Sequence, residues 1–459
     1  MKQTQTPERI GIGEMLSFFL ANVGNIPLMT LTSSYLMIFY TNVVGLNPAA
    51  CATLLLVSRI LDGVNDPIMG FLLDRLPQGK MGKFRPMLIF GTVICCVNYV
   101  LLWFGPVWAP SGKLVIACAT YLLLGITFDL MDISLNSLLP LMTDDSRQRN
   151  RLSTVKSVGY TVGSSLRAVL TPLILGDTSN LHGYYVLILG TVVVVMALSI
   201  LGALGVKERV VPIHCRTYSP KTQLRILREK PVLVTALVML LYSIGTSMIT
   251  ASNTYFYTYV IADLNKLSVV SLVIALANIP SILLIEPILG RFGKKACYVW
   301  SMVLPVPFLL ARLFHIRNFA VILVAAAVSG FAGGLCGPVR HSIQADNSDY
   351  IILKHRHHTE AAIASLSSFI VKCAIGIGGA IPGYLLACAG FNRDAAVQPA
   401  AVTTVIVVCA VVLPALLSLI SAALFGRLYP LNQTRLAEQN EALRQLRRSD
   451  FEQKGGRPA

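Results

Sequence analysis

Charged residues are scarce in this sequence. They account for 13% of its 459 residues, whereas hydrophobic residues account for 54%. The mean hydropathy is +0.67. Soluble globular domains carry roughly 25% charged residues. The deficit argues against an ordinary soluble domain and indicates that the bilayer surrounds much of the chain.

The sequence also lacks a CxxC motif and a signal-peptide pattern. Ten cysteines occur, none of them in a CxxC pair, and most lie inside apolar segments, where cysteine behaves as a small hydrophobic residue. We therefore expect neither a disulfide framework nor a metal site. The N-terminus has no small-residue cleavage site of the kind that ends a signal peptide, so we expect the first apolar segment to remain in the protein.

Apolar segments long enough to cross a bilayer recur about twelve times. A spanning helix needs about 20 mostly apolar residues. On that scale the spans lie near residues 12–40, 46–73, 86–108, 114–141, 153–175, 183–206, 231–260, 268–289, 296–314, 318–345, 361–389 and 400–428. The sequence therefore predicts an all-α membrane protein.

Positive charge is confined to alternate loops. The net charge is +16, and basic residues cluster after the second, fourth, sixth, eighth and tenth spans and in the C-terminal tail. This alternation predicts a multi-pass protein of the cytoplasmic (inner) membrane with both termini in the cytoplasm. It also argues against nucleic acid as a partner, because that role requires a basic stripe on a folded surface.

A long basic segment at the midpoint divides the chain into two halves. The sequence DPIMG at 66–70 is echoed by EPILG at 286–290, near the end of the second span of each half. Such echoes are typical of transporters built from parallel repeats. We predict an N-terminal six-helix bundle over 1–206, a cytoplasmic linker over 207–230, a C-terminal six-helix bundle over 231–430 and a cytoplasmic tail over 431–459.

Ionisable residues inside the spans carry the clearest functional signal. A charge at the bilayer centre costs about 2.5–3.5 kcal/mol on insertion scales, so such residues mark ion and solute pathways. In the second span Arg59, Asp62 and Asp66 are spaced i, i+3 and i+7, which places them on one helix face.

The fourth span carries a similar face. Asp129 and Asp132 are three residues apart, and Asn136 follows on the same face. The four carboxylates of the two spans form a candidate cation site, because a hard cation such as sodium takes several oxygen ligands. A proton needs only one buried carboxylate, so both cations remain open.

Basic residues inside the spans allow a second interpretation. Arg59, Lys156 and Arg167 lie in the first half and Lys372 lies in the eleventh span, so the acids could instead form ion pairs that only lock the fold. Lys156 and Arg167 are close to three helical turns apart, so both can face one cavity. Lys372 could alternatively snorkel toward the cytoplasmic interface.

Two weaker candidates lie elsewhere in the spans. Asn25 in the first span could bind solute or bridge two helices. Glu286 occupies the place of Asp66 in the second half but lies near the cytoplasmic rim, where we expect a gating salt bridge.

Several longer motifs resemble a known family. They are SRILDGVNDPIMGFLLDR and GKFRP around the second span, YLMIFYTNVVGL in the first, YLLLGITFDLMDISLNSLLP in the fourth and SSFIVKCAIGIGGAIPGYLL in the eleventh. Over essentially the whole chain, the sequence resembles the glycoside–pentoside–hexuronide:cation symporters, the melibiose-permease-like branch of the major facilitator superfamily. The resemblance implies two pseudo-symmetric six-helix bundles in the major facilitator fold.

The resemblance also implies roles for individual residues. Asp62 and Asp66 match the family's cation-site acids, and Asp132 matches an acid that contacts sugar hydroxyls. Lys156 lies where the melibiose permease has a sugar-binding arginine, and Lys372 matches a lysine of the eleventh span. Asp74 and Arg75 belong to a loop motif that the wider superfamily shares.

This sequence departs from the family pattern at three places. Asn25 and Ile26 replace a sugar-binding Lys-Asp pair, Asn136 replaces a tryptophan, and Asp129 replaces a threonine beside the cation site. These departures argue against a galactoside as the solute, and the added carboxylate could favour protons over sodium.

Our hypothesis from the sequence is symport of a small polar solute with Na+ or H+ by alternating access, by a protein that functions as a monomer without a bound cofactor. Three sets of residues carry it: cation ligands Asp62, Asp66 and Asp129; solute contacts Asn25, Asp132, Asn136, Lys156 and Lys372; and supporting or gating residues Arg59, Asp74, Arg75, Arg167 and Glu286.

Three other functions fit the sequence less well than symport. A lipid or lysolipid carrier of the same fold fits poorly with the polar residues Asp132, Asn136 and Lys156. A sensor that has lost transport fits poorly with the retained Asp62 and Asp66. A membrane-embedded enzyme would need a nucleophile–base pair or a metal motif such as HExxH, and the sequence contains no HExxH.

Overall fold

The computed structural model describes residues 10–74, 79, 81–109, 111–143, 146–209, 228–355, 360–392, 395, 398–439, 441–442 and 445. Its helices are α1 Ile12–Phe39, α2 Pro48–Asp74, α3 Phe84–Trp108, α4 Lys113–Met142, α5 Ser146–Leu175, α6 Leu181–Gly205, α7 Lys230–Tyr255, α8 Asn265–Val303, α9 Pro305–Phe314, α10 Phe319–His355, α11 Glu360–Cys388, α12 Ala400–Val407 and α13 Leu413–Leu428.

Short π-helical turns lengthen three of the spans. They cover Tyr40–Val44 after α1, Phe256–Val260 after α7 and Val408–Val412, which joins α12 to α13. An extra residue per turn is accommodated in this way without breaking the helix. The last span is therefore one helix, Ala400–Leu428, with a π-helical turn inside it.

Ten helical segments of the described chain are long and apolar enough to cross a membrane. One of them, Asn265–Phe314, has 50 residues, about 75 Å at the α-helical rise, so it suffices for two spans. The chain bends inside it at Gly293, whose φ of 75° and ψ of 162° are not helical. With α2, which carries several charges, the count agrees with about twelve spans, and the prediction of an all-α membrane protein is confirmed.

The chain divides into two compact units. The first comprises Met1–Cys215, Thr250–Leu272 and Gly376–Ala410, and the second comprises Arg216–Ile249, Val273–Ile375 and Val411–Ala459. Segments of the second half of the sequence thus cluster with the first unit. The predicted boundaries at 206, 230 and 430 stay a prediction.

Aromatic packing and close helix contacts build the first unit. α1 packs against α5 and α6, and α3 packs along α4 and α6. Trp103 stacks on Tyr184 with ring centroids 5.7 Å apart, and Phe39 meets Tyr184 edge-on at 4.6 Å. The hydroxyl of Tyr40 donates to the carbonyl of Leu102 at 2.8 Å, so this buried polar group is satisfied.

The residues after α6 fix the start of α3. The carboxylate of Glu208 accepts the backbone N–H groups of Lys83, Phe84 and Arg85 at 2.8 to 2.9 Å. These amides lie at the N-terminus of α3, where backbone N–H groups have no acceptor within the helix. The carboxylate therefore accepts their hydrogen bonds and complements the helix dipole. Gly82, with φ of 90°, leaves space for that carboxylate, which a β-carbon would overlap.

The second unit has an aromatic core beside buried, hydrogen-bonded polar side chains. Phe425 packs edge-on to Tyr298 at 4.9 Å and stacks on Tyr429 at 4.3 Å. The Tyr429 hydroxyl donates to Asn347 Oδ1 at 2.9 Å, and Asn347 Nδ2 donates to Thr235 Oγ1 at 2.9 Å. The side chains that tie α7, α10 and α13 together are therefore hydrogen-bonded where they are buried.

Close approach of α6 to α1 gives a stability prediction. A β-carbon at Gly202 would lie 2.6 Å from the backbone oxygen of Ser17 and 2.6 Å from Ala21 Cβ, so the helices would have to separate. We expect Gly202→Ala to destabilise the purified protein by about 1–3 kcal/mol, the usual cost of overpacking. Thermal unfolding in detergent measures the effect.

The matched control lies on the same helix. A β-carbon at Gly190 meets no atom within 4 Å, so Gly190→Ala should leave the unfolding temperature unchanged or raise it. Equal behaviour of the two variants would contradict the packing described for α1 and α6.

Candidate functional site

A chain of polar side chains from three helices of the first unit meets at Asp132. Asn25 of α1 donates from Nδ2 to Asp132 Oδ1 at 2.5 Å, and Asn136 of α4 donates from Nδ2 to Asp132 Oδ2 at 2.8 Å. Lys156 of α5 donates from Nζ to Asn136 Oδ1 at 2.5 Å. Tyr160 of α5 donates its hydroxyl to Asp132 Oδ1 at 3.3 Å.

Helical spacing explains how these residues converge. Asp132 and Asn136 are four residues apart on α4, and Lys156 and Tyr160 are four apart on α5, so each pair shares a face. The ammonium of Lys156 lies 5.7 Å from the Tyr160 ring centroid, within cation–π range. Asn136 thus bridges an acid on its own helix to a base on the next.

Within this series of hydrogen-bonded side chains, the negative charge of Asp132 is balanced by the positive charge of Lys156. Asp132, Asn136 and Lys156 are all half-buried, and Lys156 is close enough to Asp132 for an electrostatic interaction. Asn25 is fully buried, and its Oδ1 accepts no hydrogen bond from the described residues. The predicted solute residues Asn25, Asp132, Asn136 and Lys156 therefore form one connected cluster, which leaves an acceptor of Asn25 available.

A second charged group surrounds Asp62 of α2, which packs against α4. Arg59 and Asp62 form an ion pair with a nitrogen–oxygen distance of 3.5 Å, and their side chains are 9% and 8% exposed. Gly125 of α4 makes room for the pair, because a β-carbon there would overlap Asp62 Oδ1. The guanidinium of Arg59 also lies 5.8 Å from the Tyr121 ring centroid.

The carboxylate of the buried Asp129 accepts a hydrogen bond from a residue that lies close to Asp62 in the sequence of α2. Asn65, three residues after Asp62 on α2, donates from Nδ2 to Asp129 Oδ2 at 2.9 Å. Asp129 is 4% exposed, so its carboxylate is almost fully removed from solvent. α2 and α4 therefore place Asp62 beside Gly125 and, one helical turn further along, Asn65 beside Asp129. The role of Asp62 and Asp129 as cation ligands stays a prediction. Asp132 follows Asp129 at i+3, so α4 connects the two groups.

Other predicted residues lie apart from these groups or outside the described part of the chain. Arg167 of α5 is half-buried and lies in electrostatic range of Tyr99, and it forms no ion pair with a described carboxylate. Lys372 is half-buried on the second unit's part of α11. Glu286 is exposed on α8 and forms no ion pair among the described residues.

Three further predictions fall outside the described residues. They concern the side chains of Asp66 and Asp74 and the whole of Arg75. The roles of these residues, and the placing of Lys372 beside the Asp132 cluster, stay predictions.

Sequence reasoning missed Asn65, Tyr160 and Gly125. Asn65 and Tyr160 share helix faces with residues that were predicted, at i+3 from Asp62 and i+4 from Lys156, and that spacing was the available signal. Gly125 gave no signal, because only the mutual rotation of α2 and α4 shows that it faces Asp62.

The comparisons with known proteins agree with this architecture. A family model described as MFS/sugar transport protein matches residues 17–433. An isoprimeverose transporter from Lactiplantibacillus pentosus is 28% identical over 385 residues, which cover 82% of this chain and 79% of that protein. A glucuronide carrier protein homolog from Escherichia coli K12 is 27% identical over 397 residues, which cover 84% and 85%.

Solved structures share the fold at lower sequence identity. The crystal structure of a D-xylose–proton symporter aligns with a TM-score of 0.63 at 13% identity, covering 91% of this chain and 97% of that one. Membrane-spanning helices that bury matched charges are typical of secondary transporters. The chain belongs to the MFS/sugar transport family, in its glycoside–pentoside–hexuronide symporter branch, and it is a multi-pass membrane transporter rather than an enzyme.

The bridge through Asn136 predicts energetic coupling between Asp132 and Lys156. Removing one charge leaves the other half-buried and uncompensated, whereas removing both does not. We expect the Asp132→Asn and Lys156→Gln changes to be non-additive by about 1–3 kcal/mol in the free energy of unfolding. A double-mutant cycle in detergent measures this quantity.

An exposed pair serves as the matched control. Asp263 and Lys266 are 3.6 Å apart with side chains 39% and 38% exposed, so the cycle Asp263→Asn and Lys266→Gln should give less than about 1 kcal/mol. Additive effects at Asp132 and Lys156 would show that the two charges do not depend on each other.

Proposed function

We propose that this transporter is a cation-coupled symporter of a sugar, glycoside or uronide, with Na+ or H+ as the coupling ion. The observation that carries the proposal is the placement of two buried carboxylates, Asp62 and Asp129, beside the polar cluster at Asp132. Buried carboxylates inside membrane helices are costly, and they mark ion and solute pathways. The family relatives named as sugar and glucuronide carriers support the solute class.

The cation part of the proposal rests on Asp62. Its Oδ2 faces Arg59 and its Oδ1 faces Gly125, so a bound cation would compete with the guanidinium for the same carboxylate. The guanidinium of Arg59 has other partners besides Asp62. Its terminal nitrogens lie 3.7 and 3.9 Å from Met29 Sδ, and the group also lies near the Tyr121 ring. Cation binding would thus loosen an existing ion pair rather than leave a bare charge.

The solute part rests on the hydrogen-bonding capacity at Asp132. Sugar hydroxyls both donate and accept, and the cluster offers a carboxylate, two amides, an ammonium and a phenol. α4 carries both Asp129 and Asp132, so occupancy of the cation group can alter the solute group through one helix. Coupling follows if each ligand binds more tightly when the other is present.

The membrane placement completes the proposal. The loop charges favour the cytoplasmic membrane, with both termini in the cytoplasm. We propose in addition that a monomer is the functional form. The side chain of Asp66 belongs to the proposed cation site on its helix spacing from Asp62 and on the family resemblance.

Asp62→Asn tests the proposed coupling. The substitution keeps the shape of the side chain but removes the charge that would bind a cation. We expect concentrative sugar or uronide uptake into proteoliposomes, driven by an imposed Na+ or pH gradient, to fall at least tenfold. Running the two gradients separately identifies the coupling ion.

Asp177→Asn is the matched control, because Asp177 is an exposed aspartate in the turn between α5 and α6. It should retain uptake at the level of the unmodified protein. Gradient-driven uptake by Asp62→Asn at the unmodified rate would overturn the assignment of Asp62.

A further inference from the structure

A cavity of about 570 Å³ lies within the second unit, between the bend of α8 and the start of the C-terminal tail. Its lining includes Gly293, Lys295 and Trp300 of α8, Gly426 of α13 and the tail residues 432–434. All of these residues belong to the second unit, whereas the candidate transport site lies in the first. The volume falls within the range of about 300–1,000 Å³ that is typical of small-molecule sites.

The bend of α8 places this cavity at a membrane surface. On either side of Gly293, residues 265–292 and 294–314 of the helical segment Asn265–Phe314 are about 42 and 31 Å long at the α-helical rise. Each leg is long enough to cross the hydrocarbon layer, so Gly293 lies where the chain turns back. α13 ends at Leu428, just before the tail residues that line the same cavity. The loop charges predict that this surface is the cytoplasmic one.

The polar part of the lining is positively charged. Lys295 is half-buried, and one of its three donors reaches the carbonyl of Tyr429 at 2.8 Å. The neighbouring Lys294 is neutralised by Asp346 at 2.7 Å, whereas no carboxylate of the described residues lies within 4 Å of the Lys295 ammonium. The side chains of 432–434 add amide and hydroxyl groups. Lys295 therefore retains donors and an unneutralised charge for an anion.

Exposed arginines reinforce the positive charge around the cavity. Arg291, Arg427 and Arg435 each adjoin a lining residue in the sequence. Within the part of the chain that the structure describes, none of the three forms an ion pair with a carboxylate. Basic residues at the edge of the cytoplasmic leaflet attract anionic headgroups.

The rest of the lining is apolar and continues onto an exposed surface. Phe292 and Trp300 are 55% and 61% exposed, and Val299 also lines the cavity. Exposed aromatic side chains near a membrane surface are typical of the belts that contact lipid at the level of the headgroups. A ligand that suits both parts of the lining carries a negative charge on an apolar body.

We infer that this cavity binds the headgroup of an anionic phospholipid, with Lys295 as the contact for the phosphate and Trp300 beside the lipid chains. Lysine binds phosphate as a point charge, and basic pockets between membrane helices on the cytoplasmic side bind such headgroups. A soluble phosphate would meet the same lysine but would leave the apolar part of the lining without a partner. The inference is independent of the transported solute and of the coupling ion.

Trp300 gives this cavity an optical signal of its own. The chain has three tryptophans, and the difference in fluorescence between the unmodified protein and Trp300→Phe isolates the contribution of Trp300. Phosphatidylglycerol and phosphatidylcholine with brominated acyl chains, which quench tryptophan on contact, are titrated separately into delipidated protein in detergent. We expect the Trp300 signal to be half-quenched at a mole fraction of phosphatidylglycerol at least threefold lower than that of phosphatidylcholine.

Two substitutions of different kinds assign this preference to the cavity. Lys295→Gln keeps a donor for the Tyr429 carbonyl but removes the charge, so it should abolish the preference. A β-carbon at Gly426 would meet Val299 Cγ2 at 3.8 Å, an ordinary contact, so Gly426→Ala should bind as the unmodified protein does. Gly426→Leu should fill the cavity and raise the half-quenching fraction of phosphatidylglycerol at least threefold. Lys354→Gln is the charge control, because Lys354 is exposed and lies outside the lining.

The outcomes that would overturn the inference are distinct. Equal quenching by the two lipids would do so, as would a preference that survives either Lys295→Gln or Gly426→Leu, or one that Lys354→Gln also abolishes. Inorganic phosphate added at constant ionic strength should leave the quenching unchanged, and displacement of the lipid by it would indicate a site for a soluble phosphate instead. Gel filtration and unfolding temperature confirm that each variant is folded, and a variant that fails to fold leaves the other to decide.

Discussion

Charge compensation inside the membrane-spanning helices is the constraint on which the first unit depends. Arg59 and Asp62 could not be buried singly without a large cost, and together they are tolerated because each neutralises the other. A glycine lies beside each member of the ion pair and leaves the space that the pair occupies. Gly125 admits the carboxylate, and a β-carbon at Gly376 would lie 2.7 Å from Arg59 Cβ. The ion pair and the helix packing are thus one arrangement.

The same constraint gives the cluster at Asp132 its form. Asp132 and Lys156 are linked through Asn136, which donates a hydrogen bond to Asp132 and accepts one from Lys156. An intervening amide keeps both charges partly accessible while lowering the cost of burying them. Such a group can exchange its internal hydrogen bonds for those of a polyhydroxylated solute, whereas a direct, fully buried ion pair would resist opening.

The fold was predictable from the sequence because apolar length and loop charge determine spans almost independently of side-chain packing. The acids at 62, 129 and 132 could also be found, since an ionisable residue in a span is conspicuous. The partners of those acids could not. Whether Asn65 reaches Asp129, or Gly125 faces Asp62, depends on how α2 and α4 are rotated about their axes, and the periodicity of a mostly apolar helix leaves that rotation undetermined.

The most direct test of the account follows the ion rather than the solute. De-energised cells or vesicles that contain the protein are suspended in weakly buffered medium, and D-glucuronate or D-glucose is added outside. If the buried acids couple a cation to the solute, downhill solute entry carries that cation inward, and the external pH rises or the external Na+ concentration falls in step with uptake. Solute entry through the protein with neither change would contradict cation coupling.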